Sequence, residues 1–279
     1  MAIVRLELPG GGPAIADSIK HALMRAGHAV SGGAAADLRI GIWQVGMPLS
    51  LDGPPLVRWW TGSDVSCLAD GRTERHDPRA EFNWVGSAAL KQELESLGVR
   101  ARQLPVVPMW APRAHPFTEP LCVMTYCTAG REELYRWNDL LKVATVCPEF
   151  EFLVYRRGND ASAPQNVTGM GDVPHGEMPA EYLRVAVVLR LVQHDGMSLS
   201  VLEGLSFGRR VIWSHGPFPG VRQADDWYHA VYYLREEIAR GPNREGVSAM
   251  ATLRRAADGK LALYVADVLD CQAKEPING

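Results

Sequence analysis

The sequence predicts an α/β protein built from two Rossmann-like halves, and three observations carry that expectation. Short apolar, strand-like runs alternate with amphipathic helical stretches along most of the 279 residues. Glycines stand where several of those helices should end, as at Gly27, Gly98 and Gly208. Between the two series lies Trp110 to Pro120 (WAPRAHPFTEP), rich in proline and without a period, which reads as an interdomain linker. The expected domains are residues 1–115 and 116–279.

Composition narrows the class. With 47% hydrophobic and 22% charged residues the chain has the makeup of a globular protein with length for real cores. A formal net charge of −3 advertises no global basic field for nucleic acid, and a sum over the chain does not report local patches. The five cysteines (Cys67, Cys122, Cys127, Cys147, Cys271) are scattered and form no C-x-x-C pair. Buried free thiols in a reducing compartment are the expectation. No signal peptide, lipidation motif or long apolar span appears, so a cytoplasmic location is expected.

In the first half, Ala2 to Leu8 reads as a strand and is followed by the loop Pro9-Gly10-Gly11-Gly12-Pro13. A helix over 13–26, with Pro13 tolerated in its first turn, leads to a strand beginning His28-Ala29-Val30. The backbone of Gly11 and Gly12 has room to approach a phosphate or sugar closely. The loop is not the G-x-G-x-x-G of dinucleotide enzymes, and no acid completes that fingerprint. Strands follow at 37–45 and 55–60, the second ending in Trp59-Trp60. Adjacent rings on a strand face opposite sides, so one is expected in the core while the other is available to stack on a sugar or base. In Gly62-Ser63-Asp64-Val65, a strand-to-helix turn is expected in which Asp64 or Ser63 caps the next segment. A strand at 82–86, Ser87 as N-cap, a helix over 88–97 and a strand at 101–107 complete the half.

The second half restarts with a strand at 121–127, a helix over 131–146 and a strand at 150–155. Asn166 to Val173 is a short strand and glycine turn, and a helix over 179–185 feeds the apolar strand 185–192. Arg190 sits in that strand, where a guanidinium requires a partner: either a core carboxylate or a ligand. His194 to Ser214 (HDGMSLSVLEGLSFGRRVIWS) then forms loop, helix, glycine and strand. Asp195 falls at a strand's carboxyl end, where parallel sheets bind ligands. Glu203 lies about two turns along the following helix. The remainder, 225–240 and 247–271, is helical. His175, His194 and His215 are loop histidines that could reach a cleft between the halves, and no His/Cys/Asp cluster has metal spacing.

The stretch Asp195-Gly196-Met197-Ser198-Leu199-Ser200-Val201-Leu202-Glu203-Gly204-Leu205-Ser206-Phe207-Gly208 resembles the donor site of retaining GT-B glycosyltransferases. That signature has an acid, a Gly, seven residues between the two acids, then Glu, a small residue and a Gly before a strand. The usual first acid is Glu, so Asp195 is a departure. In the first half, the Gly10-Gly11-Gly12 loop with Gly27-His28-Ala29-Val30 resembles the start of the same superfamily, as does Trp60-Thr61-Gly62-Ser63-Asp64-Val65. The spacing Ser87, Leu90, Leu94, Gly98, followed by Leu104-Pro105-Val106-Val107-Pro108, is similar to where its first domain ends.

The resemblance implies a GT-B fold: two Rossmann-like domains facing each other across a cleft, with a C-terminal helix (Gly259 to Leu269 the candidate) crossing back. It implies a glycosyltransferase that takes a UDP- or GDP-linked sugar with retention and uses neither cofactor nor metal. Asp195 would orient the sugar and act as the catalytic residue, and Glu203 would hold the ribose. Gly196, Met197, Ser198 and Leu199 would offer backbone N–H groups to the diphosphate. Val173 would lie at the base, with Arg131 and Arg190 as candidate basic partners and Gly11 and Gly12 completing the donor site. Trp59, Trp60 and Asp64 are the acceptor candidates. The acceptor itself is open, a saccharide or a modified nucleic-acid base. A non-catalytic nucleotide- or glycan-binding protein and a nucleotide-sugar epimerase are the alternatives on the same scaffold.

Overall fold

The strand–helix alternation of the first half folds into a parallel six-stranded sheet. It consists of β1 (Ile3–Glu7), β2 (Ala29–Ser31), β3 (Leu38–Ile42), β4 (Leu56–Trp60), β5 (Phe82–Val85) and β6 (Arg102–Gln103), in the order β2-β1-β3-β4-β5-β6. The structure, a computed structural model, describes residues 1–7, 13–32, 35–42, 53–61, 63–69 and 82–274. Gly11 and Gly12 lie outside the described residues. Helices α1 (Pro13–Arg25), α2 (Ser63–Ala69) and α3 (Ala88–Ser96) cross between strands. Ser87 caps α3, its hydroxyl accepting the Leu90 N–H at 3.2 Å. Gly27 and Gly98 end their helices at φ +85° and +81°, a conformation glycine adopts without a Cβ penalty.

Both Trp59 and Trp60 belong to the core of this unit, which corrects the expectation that one ring faces a ligand. They are 1% and 0% exposed. The Trp59 indole donates to Leu104 O at 3.1 Å and packs edge-on against Trp84, while Trp60 donates to Asn83 Oδ1 at 3.0 Å. The reason is topological: β4 is an interior strand of a parallel sheet, and such sheets are covered on both faces. Asp64 is also buried, and its carboxylate accepts the Thr61 and Val65 N–H groups at the start of α2. The carboxylate is thus engaged with the backbone on either side of it.

The second sheet has the order β12-β11-β10-β7-β8-β9, again all parallel. Its strands are β7 (Cys122–Tyr126), β8 (Glu151–Tyr155), β9 (Val167–Gly171), β10 (Val185–Arg190), β11 (Arg210–Trp213) and β12 (Val221–Gln223). Helices α4 (Trp137–Val146), α5 (Met178–Arg184), α6 (Leu199–Ser206) and α7 (Trp227–Ala239) cover it. Val123, Val143, Phe152, Val187, Leu189, Ile212 and Leu234 are among its core residues. The helix expected from 131 begins only at Trp137, because Arg136 sits in the left-handed region at φ 48°. The edge strand β12 was not expected; three residues are too few to show a period.

The chain divides into two compact units, Met1–Met109 with the segment from Leu253 onward, and Trp110–Thr252. Trp110 to Pro120, expected as a linker, thus counts with the second unit. Arg209, wholly buried, holds it there: its guanidinium donates to the carbonyls of His115, Pro116, Val185 and Phe207. Burial without a carboxylate pushes the Arg209 pKa down to about 10. Helix α8 (Arg244–Lys274) starts in the second unit and continues into the first, where Arg25 pairs with Asp258 at 2.9 Å and Arg102 with Asp267 at 2.6 Å. The crossing helix expected at 259–269 is part of it. Cys122, Cys127 and Cys147 are buried free thiols, and Cys271 is exposed. Among the described residues no helix is long and apolar enough to cross a membrane.

Candidate active site in the second unit

The strand order of the second sheet fixes where a site can form. The chain steps from β7 outward through β8 and β9, then returns to the other side of β7 with β10, β11 and β12. The order reverses between β7 and β10, and in open parallel sheets such a reversal is where ligands bind, outside the carboxyl ends of the strands. Tyr126 ends β7 and Arg190 ends β10, so the loop carrying Asp195 begins at that switch point.

Two of the expected site residues turn out to be each other's partners. Arg190 Nε donates to Asp195 Oδ2 at 2.6 Å, which makes Asp195 the carboxylate that a strand-borne arginine required. Burial by itself would lower the Arg190 pKa, but Asp195 outweighs it and the pKa rises. Trp213 Nε1, at the end of β11, donates to the same oxygen at 3.1 Å. Asp195 Oδ1 accepts the Gly196 N–H at 3.1 Å. The carboxylate is thereby held in one orientation with its side chain 11% exposed.

Beyond Asp195 the chain turns into α6. The N–H groups of Met197, Ser198 and Leu199 are taken by no backbone acceptor among the described residues, and the Ser198 hydroxyl meets Ser200 Oγ instead of capping the helix. Orphan donors at a helix start carry partial positive charge and favour an anion. The Gly196 N–H differs, being committed to Asp195. Gly204, one turn on, lets α6 approach the sheet: a Cβ there would meet Val188 Cγ2 at 2.7 Å.

Glu203 is 3% exposed, so it is not the solvated helix-face acid that its surroundings in sequence allow. His175 Nε2 lies 2.8 Å from its Oε1, and the Tyr182 hydroxyl donates to Oε2 at 2.7 Å. Burial raises the Glu203 pKa, and the His175 and Tyr182 hydrogen bonds act against that rise. Trp110 lies against His175 with ring centroids 4.6 Å apart, and Tyr182 stacks on Phe207. Tyr126 is drawn into the same network; burial and the nearby Glu203 charge push its pKa up. The sequence placed His175 in a loop within reach of a site, but nothing in it singled out Tyr182, Trp213 or Tyr126.

The remaining candidates are more peripheral. Arg131 is exposed in the turn after β7, with no side-chain partner among the described residues. Val173 is half-buried after β9. Lys142 is spoken for by Asp139 at 3.0 Å. His215 contacts Ser214 Oγ at 3.1 Å, and burial lowers its pKa. Among the described residues no group of three or more His, Cys, Asp or Glu is placed to hold a metal ion.

No protein-family model and no curated protein sequence matches this chain. Solved structures do. HepE of Anabaena, in complex with UDP-glucose, superposes with a TM-score of 0.63 at 10% identity, over 97% of this chain and 100% of that one. Sucrose-phosphate synthase of Thermosynechococcus elongatus gives 0.63 at 12% identity, over 97% and 98%. The pneumococcal O-GlcNAc transferase GtfA, in complex with UDP and GlcNAc, gives 0.54 at 10% identity over 85% of this chain. The chain spans 57% of GtfA's length. The fold is GT-B, the fold of these glycosyltransferases.

Proposed function

We propose that the protein is a glycosyltransferase that takes its sugar from a UDP-linked donor bound at the carboxyl edge of the second sheet. One observation carries the reading: a buttressed carboxylate, Asp195, stands at the sheet's switch point beside a helix start whose three N–H groups have no backbone acceptor among the described residues. Transfer from a nucleotide sugar leaves a diphosphate whose negative charge grows as the glycosidic bond breaks. Preorganised N–H dipoles of Met197, Ser198 and Leu199 stabilise that charge, with Arg131 closing over it. Asp195 accepts hydrogen bonds from sugar hydroxyls, its orientation held by Arg190 and Trp213. The ribose reaches Glu203 by replacing His175 on Oε1, and Val173 borders the base. Transfer proceeds with retention and without a resident metal. The acceptor is a saccharide or a modified nucleic-acid base. The solved relatives with UDP-glucose or UDP bound support the choice of nucleotide.

Incubation with a panel of nucleotide sugars, following release of nucleoside diphosphate, tests this reading. A UDP-sugar is expected to be consumed, and Asp195→Asn to abolish the turnover while UDP still binds. Failure to turn over any donor, or wild-type turnover in Asp195→Asn, counts against it. Proton NMR of the product's anomeric centre decides retention.

A further inference from the structure

A pocket lies at the edge of the same sheet opposite Asp195. Trp213 ends β11 beside Asp195, whereas Arg210 begins that strand, about 10 Å back along it. There a pocket of about 200 Å³ is lined by Arg210, Arg222, Arg240, Glu237 and Glu245, with the Phe218-to-Gly220 turn as its apolar wall.

Its arginines converge on one carboxylate. Glu237, 2% exposed, is the hub. Its Oε1 accepts both Arg222 Nε at 2.8 Å and Arg240 Nη1 at 2.6 Å, and its Oε2 accepts Arg210 Nη1 at 3.2 Å. Arg210 spends its other donors on the carbonyls of Arg240, Gly241 and Pro242. Three guanidiniums therefore share one buried carboxylate. Glu236 takes Arg222 Nη2 at 3.2 Å, with a side chain 40% exposed. Glu245 is exposed and able to turn to water.

Arg222 and Arg240 have side chains 40% and 45% exposed, and each keeps N–H groups with no acceptor among the described residues: Nη1 of Arg222, Nε and Nη2 of Arg240. Two cations held on one oxygen repel each other, and a second anion between them relieves the repulsion. Planar guanidinium edges match the spacing of phosphate oxygens.

We propose that this pocket binds a phosphate group, inorganic phosphate or that of a small phosphomonoester, between Arg222 and Arg240 and apart from the Asp195 site. Calorimetric titration of the whole chain with inorganic phosphate, at ionic strength held constant with chloride, tests it. Saturable one-site binding is expected, unaffected by saturating UDP and weakened roughly tenfold or more by Arg240→Gln and by Arg222→Gln. Methyl phosphate binding as tightly or more tightly assigns the pocket to a phosphomonoester; weaker binding leaves inorganic phosphate as its ligand. Absence of saturable binding, equal affinity for acetate, unchanged affinity in both variants, or competition by UDP overturns the proposal. Should the variants fold poorly, hydrogen exchange on the wild type decides. Phosphate slows exchange at 218–222 and 240–246 if the proposal holds; protection confined to 195–200 sinks it.

Discussion

His175 Nε2 sits 2.8 Å from Glu203 Oε1, with both side chains almost wholly buried. The imidazole thus occupies the carboxylate oxygen that the proposed ribose needs. Glu203→Gln is expected to weaken UDP binding by one charge-assisted hydrogen bond, about 1.5–3 kcal/mol or roughly ten- to hundredfold. His175→Ala should leave UDP affinity equal or higher, since it frees Oε1. Calorimetric titration of both variants checks this pair, and a loss of affinity in His175→Ala would reassign the ribose to the histidine.

The Arg190–Asp195 pair should behave as a unit in stability. Removing either partner strands a nearly buried charge, so Asp195→Asn and Arg190→Gln should each cost about 3 kcal/mol. The double variant should cost little more than either alone, because the interaction is lost only once. Urea midpoints of the four proteins measure the coupling. Simple additivity would mean that the contact contributes nothing.

Glu237 provides a pH signature with a definite sign. Burial alone would raise its pKa, but Arg222, Arg240 and Arg210 outweigh that and hold it below the usual 4.5. A depressed carboxylate stabilises the fold above its unfolded value, and that stability is lost as pH falls through the folded value. Glu237→Gln is therefore expected to be about 3–5 kcal/mol less stable than wild type at neutral pH, since Arg210 stays buried. The gap should narrow as pH drops below 4.5. Chemical denaturation across that range reads it directly; a gap independent of pH would contradict the assignment.

Gly204→Ala tests the close approach of α6 to the sheet. The added Cβ meets Val188 Cγ2 at 2.7 Å, and overpacking of this kind costs about 1–3 kcal/mol. Trimming the obstacle in a Gly204→Ala, Val188→Ala double variant should recover part of the loss. Thermal melts suffice, and no recovery would place the strain elsewhere.

Arg209→Lys should destabilise by at least ~2 kcal/mol, despite conserving the charge. A lysine cannot fork across the carbonyls of His115, Pro116, Val185 and Phe207, so buried acceptors go unmet. Faster hydrogen exchange at 113–117 should accompany the loss; unchanged exchange there would separate Arg209 from the holding of that segment.

The sequence by itself determined the α/β rhythm of both halves, the helix stops at Gly27, Gly98 and Gly208, and the run from Asp195 to Glu203 as the stretch to watch. These are local properties: period, capping and spacing are written within a few residues of one another. Tertiary structure alone decided what those residues touch. Arg190 was legible as a cation needing a partner, but the partner appeared only when the loop after β10 folded back over its own strand end. Trp59 and Trp60 looked two-faced on an isolated strand, and β4's interior place in a parallel sheet buried both. Glu203's partners come from 28 and 21 residues away, on a turn and a helix whose position follows from strand order. Pairings at that distance depend on which strands are neighbours, and alternating apolar runs carry no record of that order.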